Sequence, residues 1–181
     1  GGHIAELVDL PGLYDLHGFS DDEQVVRHFL SHHAVDLVLI ILNSAQIDRQ
    51  LSLALQIRAL GLPAVLLLNM EDEATRAGIS INSEKMQQAL GMPVLTISAK
   101  YGSHCPEALQ IAAQQLHANL PQKTPEQVAA ALAQDHEIEQ AMQQIVESSV
   151  QIPAQLNDAT TDRIDRVLLH PWLGLPIFFA A

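Results

Sequence analysis

Three apolar runs constrain this 181-residue chain more than any other feature: VDLVLIIL at 35–42, PAVLLLN at 63–69 and MPVLTIS at 92–98. Each is short, rich in β-branched or leucine side chains, and apolar almost throughout. That is the pattern of a strand covered on both faces in a parallel sheet; a half-solvated strand alternates instead. HIAELVD at 3–9 reads as a further strand, with Gly1-Gly2 as a turn leading into it. The segments between carry helical signals. Ser20 and Glu23 form an S-x-x-E capping box that predicts a helix over about 21–33. Leu51, Leu55 and Ala59 stack at i, i+4 and i+8 in a helix over about 47–60, which Gly61 closes. Asn82 or Ser83 starts a short helix through Leu90, closed by Gly91, and another follows KYGSHCPEA to about His117. Strands alternating with helices at this spacing predict a doubly wound, mostly parallel α/β sheet. Ligands of such sheets sit at the carboxyl ends of the strands. Those ends are Asp9, Asn43, Asn69 and Ser98, four polar residues that terminate apolar runs.

At 48% hydrophobic and 17% charged residues, the chain can bury a core and is not expected to be disordered. Nine Lys plus Arg against 21 Asp plus Glu give a formal charge of −12, which repels nucleic-acid backbones. No basic cluster offers a local exception, so no nucleic-acid partner is expected. The single cysteine, Cys105 before Pro106, cannot form an intramolecular disulfide and reads as a small space-filling residue. His28, His32 and His33 fall on one predicted helix, and they read as solvated rather than metal-bound because no Cys or carboxylate partner is evident. Past residue 120 the character changes. PQKTPEQ is a linker with a second capping signal, Thr124 to Gln127, and 126–150 reads as one Ala/Gln/Glu-rich helix or two short ones. The last ten residues, WLGLPIFFAA, are uncharged and half as long as the roughly 20 residues a membrane span requires. Both ends read as cut, since the chain opens on Gly-Gly and shows no signal peptide.

Chemistry enters through three short motifs. D-x-x-G at Asp9, Leu10, Pro11 and Gly12 places an Asp at a strand end, where it can hold Mg²⁺ through a water. The glycine N–H that follows, unobstructed by a side chain, can approach a terminal phosphate. N-x-x-D at Asn69, Met70, Glu71 and Asp72 offers a carboxylate able to accept the N1–H and exocyclic amine of guanine. Adenine lacks that donor pair, and the unpaired carboxylate would then penalise it. Ser98, Ala99 and Lys100 end the next strand with backbone N–H groups able to meet the guanine O6. Each motif alone is weak. Together they fall in order on consecutive strand ends, 60 and then 29 residues apart.

The stretches ELVDLPGLYDLHGFSDDEQVVRHFL, LNSAQIDRQLSLALQIRALGLPAVLLLNMEDEA and ISAKYG resemble the G domain of FeoB, the bacterial ferrous-iron transporter family. Met70 in place of the Lys of most GTPases, Tyr14 after DLPGL and the N-S-A-x-x-x-R-Q-L-x-L-x-L-Q stretch are the family-like traits. TDRIDRVLLHPWLGLPIF resembles the family's approach to its first membrane helix.

This resemblance implies a P-loop GTPase-like fold that divides into a partial G domain over 1–120, a helical region over 121–158, and an amphipathic lead into a membrane span over 159–181. It implies GTP or GDP as ligand, contacted by Asp9 to Gly12, Asn69 to Asp72, and Ser98 to Lys100, with Mg²⁺ at Asp9 and switch II over 13–24. It also implies a place on the cytoplasmic side of the bacterial inner membrane and coupling to Fe²⁺ in membrane segments outside these residues; a homo-oligomer is left open. Two departures stand out. No G-x-x-x-x-G-K-[ST] phosphate loop occurs in the sequence, so these residues alone are not expected to hydrolyse GTP. Leu13 stands where many small GTPases carry the water-orienting Gln, which implies slow hydrolysis or another water-positioning group. Alternatives are a soluble regulatory GTPase and a non-catalytic module that lacks its phosphate loop.

Overall fold

The computed structural model describes residues 5–118, 120, 122–134 and 138–153. The chain divides into two compact units, Gly1–Val150 and Gln151–Ala181. Of the second unit only residues 151–153 are described, so the amphipathic lead and apolar run expected over 159–181 lie outside the described residues. Among the described residues no helix is long and apolar enough to cross a membrane.

The three apolar runs form the strands β1 (Val38–Asn43), β2 (Ala64–Asn69) and β4 (Val94–Thr96) of one parallel sheet, in the order β1-β2-β4. The short strand β3 (Ser80–Ile81) lies between β2 and β4 in sequence and belongs to a separate two-stranded sheet. The register runs Val38 opposite Ala64 to Asn43 opposite Asn69, and then Leu66 opposite Val94 to Leu68 opposite Thr96. Strand β2, paired on both sides, is the most deeply covered, with Val65, Leu66 and Leu68 wholly excluded from solvent. Burial of each such side chain is worth about 1.5–3 kcal/mol, so the central strand follows from its composition.

Helices cover both faces, as the continuous apolar runs require. One face packs Ile40, Leu42, Leu66 and Leu68 against α1 (Asp21–His32), α2 (Ile47–Leu60) and α4 (Ser83–Leu90). The other packs Val65 and Leu67 against Ala108 of α5 (Cys105–His117). The capping signals act as read. Ser20 Oγ accepts from the Glu23 N–H while the Glu23 carboxylate accepts from the Ser20 N–H, and Asn82 rather than Ser83 caps α4. Gly61 and Gly91 end their helices in the left-handed region, at φ 72 and 68. Helix α2 is buried on a wider face than Leu51, Leu55 and Ala59 indicated: Ala54, Gln56, Ile57 and Leu60 are covered as well.

One predicted strand is corrected. Residues 5–9 run as exposed coil with no ladder partner among the described residues, and Leu7 is 85% exposed. Apolar alternation cannot by itself hold a strand that finds neither a neighbour to bond nor a surface to cover. Among the described residues no strand pairs with the outer edge of β1, and Ile41 is exposed.

The region past residue 120 forms two helices, α6 (Pro125–Leu132) and α7 (Glu139–Ser149). Thr124 and Gln127 close a second capping box at the start of α6. Val128, Ile145 and Val150 belong to the same core as Leu16, Val26 and Leu55. Helix α6 lies against α1, and α7 lies against α2 and α4. The Ile145→Ala variant should therefore lose about 2–4 kcal/mol in urea unfolding. It should unfold in a single transition, whereas an independent helical appendage would give two.

Candidate guanine-reading site

The motifs at the ends of β2 and β4 meet. Asn69 ends β2, and its Oδ1 accepts the Ala99 N–H at 3.0 Å, tying together two loops that are 30 residues apart. Met70 then takes a left-handed conformation, φ 63 and ψ 37. For a residue with a Cβ this costs roughly 1–2 kcal/mol, and such conformations persist only where the surroundings impose them. Here the turn starts α3 (Glu71–Arg76), and the Met70 carbonyl accepts from the N–H groups of Glu73 and Ala74. The Glu71 N–H reaches back to the Ile97 carbonyl at 3.4 Å. Asp72 thus comes to lie over the β4 loop, where its Oδ1 accepts from the buried Ser98 hydroxyl at 3.0 Å. Its Oδ2 accepts from Arg76 Nη2 at 2.6 Å, one helical turn on.

Partial burial opposes ionisation of Asp72, but the Ser98 hydroxyl and the Arg76 guanidinium outweigh it and hold the carboxyl below its ordinary value. A carboxylate has about four lone-pair positions on its two oxygens. The Ser98 hydroxyl and the Arg76 guanidinium each take one, and the Asp72 backbone N–H also favours the charged form, which leaves acceptor capacity for a further donor.

The loop after β4 is built from Ser98 outward. The Ser98 and Ser103 backbones exchange hydrogen bonds at 3.1 Å, and Gly102 closes the turn at φ 71. The Ser98 and Ala99 N–H groups are both engaged within the protein. The Lys100 N–H makes no hydrogen bond among the described residues, which leaves it as the open donor of the three. The Lys100 ammonium sits 5.1 Å from the Tyr101 ring centre. Cys105 begins α5 half-buried, with its Sγ 3.8 Å from the Ser103 carbonyl.

Two expected positions stand apart from this cluster. Asn43 serves its own loop: its Oδ1 accepts the Ala45 N–H at 2.8 Å, and its N–H donates to Gln50. Asp9, Leu10, Pro11 and Gly12 are joined to Asn69, Asp72 or Ser98 by no hydrogen bond among the described residues. Asp9 and Gly12 are exposed, and a Cβ built on Gly12 meets nothing within 4 Å, so packing does not demand glycine there. Leu10 and Leu13 lean on the core. His28 and His32 stack at 4.0 Å between ring centres, and no cluster of three or more metal-ligating side chains occurs among the described residues.

Sequence reasoning missed Arg76, although a Lys or Arg four residues after a helical Asp is a standard ion-pair spacing. It also missed Gln56, a polar side chain on an otherwise apolar helix face.

A parallel sheet with helices on both faces and paired loops at the carboxyl ends of β2 and β4 is the architecture of a P-loop-GTPase-like G domain. Comparison with known proteins narrows the class. The family model described as ferrous iron transport protein B matches residues 1–113. The Fe(2+) transporter FeoB of Synechocystis sp. is 44% identical over 181 residues, covering 99% of this chain and 29% of that relative. Among solved structures, the G domain of FeoB from Methanococcus jannaschii is 33% identical, with a TM-score of 0.59 over 61% of this chain and 70% of that one. The cytosolic domain of L. pneumophila FeoB is 27% identical, with a TM-score of 0.64 over 79% and 77%. The chain belongs to the ferrous iron transport protein B family.

The low Asp72 pKa gives a signed expectation. The carboxylate contributes to stability above its unfolded pKa, and that contribution is lost as pH falls through the lower folded value. In Ser98→Ala the side-chain carboxyl resonance of Asp72 should titrate at a higher pH than in the parent chain. An unmoved titration would show that the Ser98 hydroxyl does not bond the carboxylate in solution.

Proposed function

We propose that this chain is the guanine-nucleotide-binding portion of a ferrous-iron transporter. The observation that carries the proposal is Asp72, held ionised over the β4 loop by the Ser98 hydroxyl and Arg76, beside the Asn69–Ala99 bridge. Guanine offers an N1–H and an exocyclic amine at matching positions, and the Lys100 N–H is the free donor for its O6. The relatives carry the name Fe(2+) transporter, and one solved neighbour is a FeoB G domain. Coupling of nucleotide state to Fe²⁺ movement belongs to the whole protein, in which this chain supplies the nucleotide side at the cytoplasmic face of the membrane.

Asp9 to Gly12 would meet the γ-phosphate. Mg²⁺ typically takes one or two carboxylates and completes its shell with phosphate oxygens and water, so the lone exposed Asp9 fits an ion that arrives with the nucleotide. When bound, that ion would neutralise phosphate charge. Gly12 keeps its N–H clear for the phosphate, a reason for glycine that the protein's own packing does not supply. The loop at 13–20 runs directly into α1, which packs against α6. We take the pair α6–α7, which packs on α2 as well, as the element that relays or damps nucleotide-dependent movement toward the membrane.

Asp72→Asn in the full-length protein should weaken GTP binding roughly 10- to 100-fold, the range expected for an unpaired buried donor or acceptor. Binding of xanthosine triphosphate should improve, because xanthine presents an acceptor where guanine presents its amine. Unchanged base preference in equilibrium nucleotide binding would contradict the assignment.

A further inference from the structure

The loop that follows Gly12 is fastened by a buried side-chain amide, and the fastening residue lies outside all three motifs. Gln56 sits on α2 at 6% exposure, among Leu55, Ile57 and Leu60. Its Oε1 accepts the Leu16 N–H at 2.8 Å, and its Nε2 donates to Asp15 Oδ1 at 2.6 Å. The two contacts span 40 and 41 residues of sequence. Leu16 itself is wholly buried in the main core. The His17 N–H also donates to Asp15 Oδ1, at 2.7 Å, so that one oxygen takes two donors.

Upstream the loop is held far more weakly. Tyr14 is exposed, and its carbonyl takes only a 3.5 Å contact from the Ser52 hydroxyl. Residues 9–13 make no side-chain hydrogen bond among the described residues.

A buried amide with both functions satisfied across such a span is a fixed point, because opening it strands a donor and an acceptor away from water. We propose that Gln56 is a positioning residue for the γ-phosphate loop: it anchors Asp15 and Leu16 to α2, so that nucleotide-dependent movement is confined to residues 9–14. The anchor stands on geometry alone, and only its consequence for nucleotide rests on the function proposed above.

That consequence has a direction. A loop held at its distal end has less freedom to lose when it closes on a γ-phosphate. GDP, with no γ-phosphate, makes no use of that preparation. Loss of the anchor should therefore weaken GTP binding selectively.

The test has two arms. In the full chain without nucleotide, the Leu16 amide should exchange with solvent roughly tenfold faster or more in Gln56→Met, which keeps side-chain length and removes both polar functions. Asp15→Ala at the exposed end should loosen it too, and should leave the fold intact if Gln56→Met does not fold. Asp15→Asn retains the acceptor and should stay close to the parent. In the double variant Gln56→Met with Asp15→Ala, the second change should add little. Equal Leu16 exchange in the parent chain, Gln56→Met and Asp15→Ala would overturn the anchor.

In the full-length protein, Gln56→Met should lower affinity for a non-hydrolysable GTP analogue roughly three- to tenfold while GDP affinity stays constant. A general structural defect would lower both alike and would overturn the positioning role. Exchange in the 9–14 segment should change when the analogue binds, and exchange at Leu16 should not. Absence of any guanine-nucleotide binding would remove the functional reading and leave the anchor standing on the first arm.

Discussion

Strand β2 is hydrogen-bonded to β1 along six residues and to β4 along three, and its side chains are covered from both faces. The rest of the unit follows from that double pairing. A strand fixed on both edges delivers Asn69 to one position at the sheet's carboxyl end, and from there Asn69 can reach the Ala99 N–H at the end of β4. Were β2 an edge strand, the loops carrying Asp72 and Ser98 would hang from separately moving elements. Instead the Asp72 carboxylate meets the Ser98 hydroxyl across 26 residues, and the Asn69 amide meets the Ala99 N–H across 30.

The two halves of the proposed site are built differently, and the difference suits the tasks proposed for them. The half proposed to read guanine is preorganised: Asp72 is ionised and partnered, Met70 is held in a costly turn, and the β4 loop is cross-bonded at Ser98 and Ser103. The half proposed to face the phosphate, residues 9–14, exposes Asp9, Gly12 and Tyr14, leans on the core through Leu10 and Leu13, and is sparsely hydrogen-bonded until it reaches Asp15 and Leu16. Base recognition profits from fixed donors and acceptors, since specificity comes from leaving the wrong base's groups unpaired. A segment that must report the presence of one phosphate needs two positions of similar energy, which a densely bonded loop would not have.

Much of this was legible in the residues. The three buried strands, both capping boxes and the glycine helix ends depend on short-range patterning, and each appears within three residues of its expected place. The convergence of Asn69, Asp72 and Ser98 follows from strand order once the sheet is parallel. What failed were features settled by distant neighbours. HIAELVD has the alternation of a strand, but nothing in its own residues says whether a partner edge is in place, and Leu7 stays in solvent. Gln56 reads locally as one more residue of an L-x-L-Q helix; its role appears only when a loop 40 residues earlier presents a backbone N–H to it. Arg76 was visible by spacing alone.

The central claim is that the ends of β2 and β4 form a guanine-reading site. Hydrogen exchange of the full-length protein at saturating GDP and at equal ADP tests it most directly. The account predicts that GDP protects the segments 69–72 and 97–102, and that ADP leaves both at the level of the nucleotide-free protein. Equal protection by the two nucleotides, or GDP protection that misses both segments, would contradict it.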